Sequence, residues 1–291
     1  MTTLKASLKT IKRNYWPLIK SLQTALLLIT GLAGFMSARC PVLNPGILLS
    51  LSGSLFLAIS GSTVLNMWYD RDIDARMKRT CQRPLPSGQL APSKALALGL
   101  GMSALGVGWA FMMMPLYGLV IFAGLFFDVV IYTMWLKRRT AWGIVWGGIS
   151  GGMPVLAGRV LGLGYIDWVG MALCLSVLFW IPTHILTFSM RYFDDYKNAG
   201  VPTFPSTYGF GTTRKVIAVS SLIAAIAIAI GAVGFGMAVG YLRVIAVLSV
   251  GLFLLAVGSV WKPSERVNFG LFKYASLYML GAMLLMALDG M

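Results

Sequence analysis

The chain is poor in charge, and above all in acid. Only 11% of its 291 residues are charged, and 9 aspartates and glutamates stand against 24 lysines and arginines. Soluble domains carry about a quarter charged residues, so a water-soluble globule is excluded. Cysteine is scarce too. Cys40, Cys81 and Cys174 lack metal-binding spacing and fall at different expected depths, so neither a thiolate metal site nor a disulfide is assigned. No low-complexity linker divides the chain, which reads as one domain over 1–291. Nor are there related halves with polar residues at mid-depth, as a carrier would show. A single histidine, His184, is present.

What abounds is apolar chain, 58% of the residues. It comes in runs of roughly 20, the length needed to cross a bilayer core. Spans are expected near 16–36, 45–67, 95–114, 116–136, 142–163, 166–190, 216–239, 243–261 and 270–288. The fold class is therefore all-α, a polytopic membrane protein of about nine transmembrane helices. The first run is long enough to span and lacks a clear cleavage site, so it reads as a span rather than a leader.

The net charge of +15 could suggest nucleic acid, but its distribution says otherwise. Lys5, Lys9, Lys12, Arg13 and Lys20 surround the first span. Most other cations fall in the connections after even-numbered spans, on the same face. Only Arg39, Arg159 and Arg243 are left for the other face or the interior. This is the positive-inside pattern, which predicts a cell-membrane protein with a cytoplasmic N-terminus and an external C-terminus, and no nucleic-acid partner.

Five of the nine acids fall in two clusters on that cytoplasmic face: Asp70, Asp72 and Asp74, then Asp194 and Asp195. Asn66, Asp70 and Asp74 are four residues apart, so on a helix they share one face, about 6 Å per step, while Asp72 points away. Such oxygen donors suit Mg²⁺, which is held by one or two carboxylates together with substrate phosphates. Acids at a helix end can also simply neutralise neighbours such as Arg71, Arg76, Lys78 and Arg79. The second cluster, in "MRYFDDYKNAGVPTFPSTYG", and the cationic "YTMWLKRRT" on the same face favour a site for Mg²⁺ and a polyphosphate.

These residues carry a resemblance. "NMWYDRDIDARMKRT" with "RPLPSG", then "YTMWLKRRT", "GGISGGMPVLAGRVLGLG" and "FWIPTHILTFSMRYFDDYKNAGVPTFP" resemble, in order over roughly 62–210, the UbiA family of intramembrane prenyltransferases. They are most similar to its branch that farnesylates protoheme IX. The resemblance implies about nine helices around a central cavity, Mg²⁺ as cofactor, farnesyl diphosphate as donor and heme b as acceptor. The farnesyl group would join a vinyl carbon, with diphosphate released and water added. The alternative acceptors are a quinone precursor or an isoprenoid glycerolipid.

By position, the resemblance implies that Asn66, Asp70 and Asp74 hold Mg²⁺ against the diphosphate. Asp194 and Asp195 stand in the second acidic motif; its usual partner four residues on is replaced by Asn198, and Asp195, in "DYKNAG", is the favoured ligand. Arg71, Arg79, Lys137 and Arg138 would bind diphosphate, with Tyr132 deeper near the allylic end. Asp70, Asp74, Lys137 and Asp195 form the expected catalytic set. His184 would face the acceptor, about 16 Å below Asp195 at 1.5 Å per residue. It follows Pro182 and Thr183 where that branch has two prolines. Arg159 would bind an acidic group of the acceptor, with Asp128 as its structural partner. Gly147, Gly148, Gly151 and Gly152 imply close helix packing.

Overall fold

In the computed structural model, residues 13–39 and 44–291 are described; Lys5, Lys9, Lys12 and Cys40 lie outside them. The described residues are all helical and turn, with no strand. A short 3₁₀ turn, Trp16–Ile19, precedes α1 (Ser21–Ser37). Then come α2 (Pro45–Tyr69), α3 (Arg71–Arg76), α4 (Pro92–Met113) and α5 (Pro115–Phe126), which continues as a π-helical stretch, Phe127–Leu136. Next are α6 (Gly143–Leu163), α7 (Trp168–Arg191), the short α8 (Phe193–Asn198), α9 (Phe204–Gly234), α10 (Val239–Trp261) and α11 (Glu265–Asp289). Eight of these are long and apolar enough to span a membrane, and the bent pair around Lys20 brings the number to nine.

The helices begin where sequence chemistry says they should. Proline, whose missing N–H costs nothing in a first turn, opens α2, α4 and α5. Asn44, Asp167 and Ser264 cap backbone amides of α2, α7 and α11. One boundary differs by a dozen residues: α9 starts at Phe204, not near 216. Thr203 and Ser206 form a reciprocal capping box there, which carries the helix through Gly209, whose φ of +79° kinks it.

Each span packs on the next, and α11 returns to α1, so the nine close into a ring. α6 also crosses α1, and α11 crosses α7. The α1–α6 crossing is so tight that a Cβ on Gly158 would stand 1.9 Å from the Gly31 carbonyl oxygen, and one on Gly34 2.0 Å from that of Val155. In a bilayer, where helix association relies on van der Waals contact, such close approach is a principal source of stability. Gly147, Gly148, Gly151 and Gly152 likewise admit Tyr132, Leu178, Ile181 and Cys174. Gly158→Leu is expected to cost more than about 3 kcal/mol, because a backbone oxygen cannot yield. Gly108, with open space around its Cβ position, provides the control: thermal unfolding in detergent should collapse for Gly158→Leu and not for Gly108→Ala.

Away from the aspartates, Arg39 pairs with Asp289 at 2.8 Å and donates to the Gly236 carbonyl at 2.6 Å, tying α1 to α11. Arg159 corrects an expectation. Its partner is not Asp128 but Asp167, held by two hydrogen bonds of 2.8 and 2.7 Å, and it also donates to the Ser37 carbonyl at 2.6 Å. Burial alone would raise the Asp167 pKa; Arg159 and the Gly170 amide outweigh it and hold the carboxyl below its ordinary value. Asp128 instead accepts a hydrogen bond from Ser62. Arg159 is thus a clasp joining α1, α6 and α7. It stands 16 residues along α6 from Gly143, about 24 Å from the end where the aspartates cluster.

Candidate active site

Asn66, Asp70 and Asp74 do share a face, although two helices and not one present them. Asp70 ends α2 and begins α3, and the hydrogen-bond ladder runs through it: Asp70 N–H to the Asn66 carbonyl at 2.9 Å, Asp74 N–H to the Asp70 carbonyl at 2.8 Å. Asp70 and Asp74 are buried, whereas the Asp72 side chain is 47% exposed. Asp72 takes both Nη atoms of Arg138 at 2.8 and 2.7 Å, and that hydrogen bonding holds its carboxyl below the ordinary range.

Each buried acid has its own cation. Lys137 donates to Asp70, and Arg83 to Asp74 at 2.7 Å. Lys20 Nζ lies 3.4 Å from Asn66 Oδ1. Lys20 and Arg83 were not among the expected site residues, because in sequence Lys20 is one more topology cation and Arg83 belongs to a Pro-rich turn. Three cations around two carboxylates leave net positive charge in a partly buried place, a setting that favours a polyanion. Within it, Asp70 Oδ1 is buried without a hydrogen-bond partner, with Arg138 Nη2 3.9 Å away.

The π-helical stretch sets up the other wall. Its wider winding bonds Lys137 N–H to the Tyr132 carbonyl at 2.8 Å and brings Lys137 Nζ 5.7 Å from the Tyr132 ring centroid. Such segments recur at functional sites. The same winding lets Thr133 Oγ1 donate to the Asp128 carbonyl at 2.7 Å and accept from Asn66 Nδ2 at 2.8 Å. That bond fixes the Asn66 amide with its oxygen toward Lys20. Thr133 is a further member that the sequence did not disclose. Tyr132 and Lys137 also line a partly open, mainly apolar cavity of about 50 Å³, together with Ile144, Leu186, Ser189 and Phe204.

The two acidic loops are docked together. Ile73 and Met77 bury against Ala199 and Val201, and Asp195 accepts the backbone amides of Lys78 and Arg79, both at 3.3 Å. Asp194 is exposed and lines a cleft with Asp195, Lys78, Arg79, Arg191 and Tyr192. Arg79 lies over the rings of Phe188 and Tyr192, at 4.8 and 5.3 Å. Arg71 folds back onto Trp68, donating to its carbonyl at 2.6 Å. Deeper in α7, His184 is stacked between Trp180 and Phe272 at 4.9 and 4.5 Å, its Nδ1 3.1 Å from Ser276 Oγ.

Among the described residues, no three acids, histidines or cysteines converge as a metal cage. The donor set nonetheless fits Mg²⁺, which takes few protein carboxylates and completes its shell with phosphate and water. The unpartnered Asp70 Oδ1 on the same face as Asn66 and Asp74 is the specific point of fit.

The chain has relatives among known proteins. The chain is 42% identical over 212 residues to the protoheme IX farnesyltransferase of Archaeoglobus fulgidus, covering 70% of this chain and 74% of that one. To that of Pyrobaculum arsenaticum it is 37% identical over 258 residues, 85% and 92% of the two chains. To that of Ruegeria pomeroyi it is 38% identical over 281 residues, 91% and 86%. Among solved structures, digeranylgeranylglyceryl phosphate synthase superposes with a TM-score of 0.78 at 18% identity, covering 97% of this chain and 98% of that one. A UbiA homolog from Archaeoglobus fulgidus bound to DMAPP and Mg²⁺ does so at 0.71 and 17%, covering 94% and 99%. At these identities the structural likeness concerns the fold. The UbiA prenyltransferase family profile matches residues 27–280, and the chain belongs to that family.

Proposed function

We propose that this prenyltransferase moves a farnesyl group from farnesyl diphosphate to a vinyl carbon of protoheme IX, releasing diphosphate and, with addition of water, giving heme O. The observation that carries the reading is the cation-rich pocket around Asp70 and Asp74, whose Lys137 also lines an apolar cavity. The farnesyltransferase names of relatives matching most of the chain support the heme acceptor.

Asn66, Asp70 and Asp74 would hold Mg²⁺ and the diphosphate from the first loop, and Asp195, with Asp194 beside it, from the second. When bound, Mg²⁺ offsets the charge that builds on the departing diphosphate. Lys137, Arg138, Arg79 and Arg71 supply fixed cations at the same mouth, and Lys20 and Arg83 add to them. These act most strongly where water is excluded. Tyr132 stands between this polar head and the cavity, where its ring can face the allylic carbon as positive charge develops. The cavity takes only the allylic end of the isoprenoid tail and keeps water from the cation. His184 serves the acceptor; Arg159, spent on Asp167 and Ser37, does not. The chain acts as one domain, with its N-terminus cytoplasmic and its C-terminus external.

The test is incubation of purified protein with Mg²⁺ and labelled farnesyl diphosphate, against heme b and against quinone precursors and glycerolipid acceptors, with product masses read. Farnesylated heme is expected, vanishing with EDTA and returning with Mg²⁺. Prenylation of a quinone precursor or glycerolipid alone would overturn the heme assignment. Turnover indifferent to EDTA would overturn the metal's role.

A further inference from the structure

The farnesyl-transfer chemistry at the two acidic loops leaves a neighbouring surface unused. Along α7, Trp180, His184, Phe188 and Tyr192 recur every four residues, so their rings form one stripe about 18 Å long. α11 faces it with Phe269 and Phe272. The rings touch in sequence: Trp180 with His184 at 4.9 Å, His184 with Phe272 at 4.5 Å, Phe272 with Phe188 at 5.8 Å, Phe188 with Tyr192 at 4.6 Å. Phe269 stacks nearly parallel to Phe272, at 6.0 Å and 8°. All but Trp180 are only half-buried, so the stripe presents π-faces rather than closing on itself.

At its cytoplasmic end two cations share one ring. The Arg191 guanidinium carbon is 3.9 Å, and Lys273 Nζ 4.6 Å, from the centroid of Phe269. Neither has a carboxylate within ion-pair distance among the described residues. Asp194 and Asp195 line the same cleft as Arg191, but Asp195 turns toward the Lys78 and Arg79 amides and neither carboxylate comes within ion-pair distance of Arg191. Like charges held over one ring, without a counter-ion, lower the free energy of any anion that arrives there. At the deep end, His184 uses Nδ1 on Ser276, and Nε2 has no partner among the described residues. The stripe therefore offers three features together: flat aromatic faces, an imidazole nitrogen below and paired cations above.

We infer that this α7–α11 face is the acceptor subsite, and that Arg191 and Lys273 hold carboxylates on the edge of a planar aromatic acceptor. The inference deepens the heme reading and rests on it: heme b is a flat macrocycle with two propionates on one edge. Carboxylates at Arg191 and Lys273 fix which edge lies at the aqueous end and turn the rest of the ring toward His184. The acceptor then shares α7 with the prenyl cavity, whose wall includes Leu186 and Ser189 of the same helix. The two sites meet where Arg79 crosses Phe188 and Tyr192.

The test compares heme b with its dimethyl ester, in which both propionates are masked, by Soret titration of the full chain in nanodiscs. Wild-type protein should bind heme b about tenfold or more tightly than the ester, the scale of one to two charge-assisted hydrogen bonds. Arg191→Gln with Lys273→Gln should weaken heme b to the level of the ester and leave the ester unchanged. Retained binding of Mg²⁺–farnesyl diphosphate by the double variant shows that it is folded. Equal affinity of wild-type protein for both ligands, or equal loss of both in the variant, would overturn the carboxylate assignment. So would a preference for heme b that persists in the variant; cations serving only lipid headgroups would give that result. Wild-type protein that binds neither porphyrin yet still binds Mg²⁺–farnesyl diphosphate would overturn the heme reading itself.

Discussion

Asp70→Ala and Asp74→Ala should each reduce turnover by at least about 10²–10³, the loss typical when one preorganised electrostatic group is removed from a reacting centre. Asp72→Ala should cost less than about fivefold, because an exposed ion pair contributes only about 0.2–1 kcal/mol. All three aspartates lie within five residues, and burial and partners separate them. Asp70 and Asp74 are buried against Lys137 and Arg83, while Asp72 is half in solvent with Arg138. Removing a buried carboxylate also strands its cation in a poorly hydrated place, a second penalty that Asp72 does not share. The measurement is kcat/KM in reconstituted membranes for the three variants. Equal losses across all three would show that the shared face of Asn66, Asp70 and Asp74 has no part in the chemistry.

Asp195→Ala should be nearly as severe, with a loss of about 10² or more, and Asp194→Ala much milder. Asp195 latches the second loop to the first through the Lys78 and Arg79 amides, and in the proposed function it also faces the diphosphate. Each carboxylate oxygen retains a lone pair after accepting one amide, so latching does not exhaust it. Without the latch, Ile73 and Met77 keep only their apolar contact with Ala199 and Val201, and the two halves of the site lose registration. An ångström of misplacement is enough to cost about 10²-fold. Asp195→Asn, which keeps one acceptor oxygen, should fall between wild type and alanine. If Asp194→Ala proved the more damaging, the exposed residue would be the ligand and Asp195 only the latch.

The sequence by itself determined the class of molecule and the ends of most helices. Hydrophobic length is a local property, so nine runs of about 20 apolar residues can be read without knowing what packs on what. The shared face of Asn66, Asp70 and Asp74 is local too, since a four-residue spacing survives even the break at Asp70. The exception, the start of α9, arose where proline, glycine and cations suggested a loop but a capping box began a helix.

Only the tertiary structure decided which cation meets which acid. In sequence, Lys20, Arg83 and Lys137 look like other positive-inside residues, because a topology signal and a site charge are the same side chain. What distinguishes them is burial, and burial depends on helices far apart in the chain: Lys20 and Asn66 are 46 residues apart, Lys137 and Asp70 67. Arg159 was drawn to Asp167, not Asp128, because the α6–α7 turn places the two side by side at the far end of the ring. The π winding that aims Thr133 at Asn66 and the grip of Asp195 on two backbone amides have no side-chain pattern at all. Backbone hydrogen bonds are formed by every residue alike, so their partners appear only when the chain is folded.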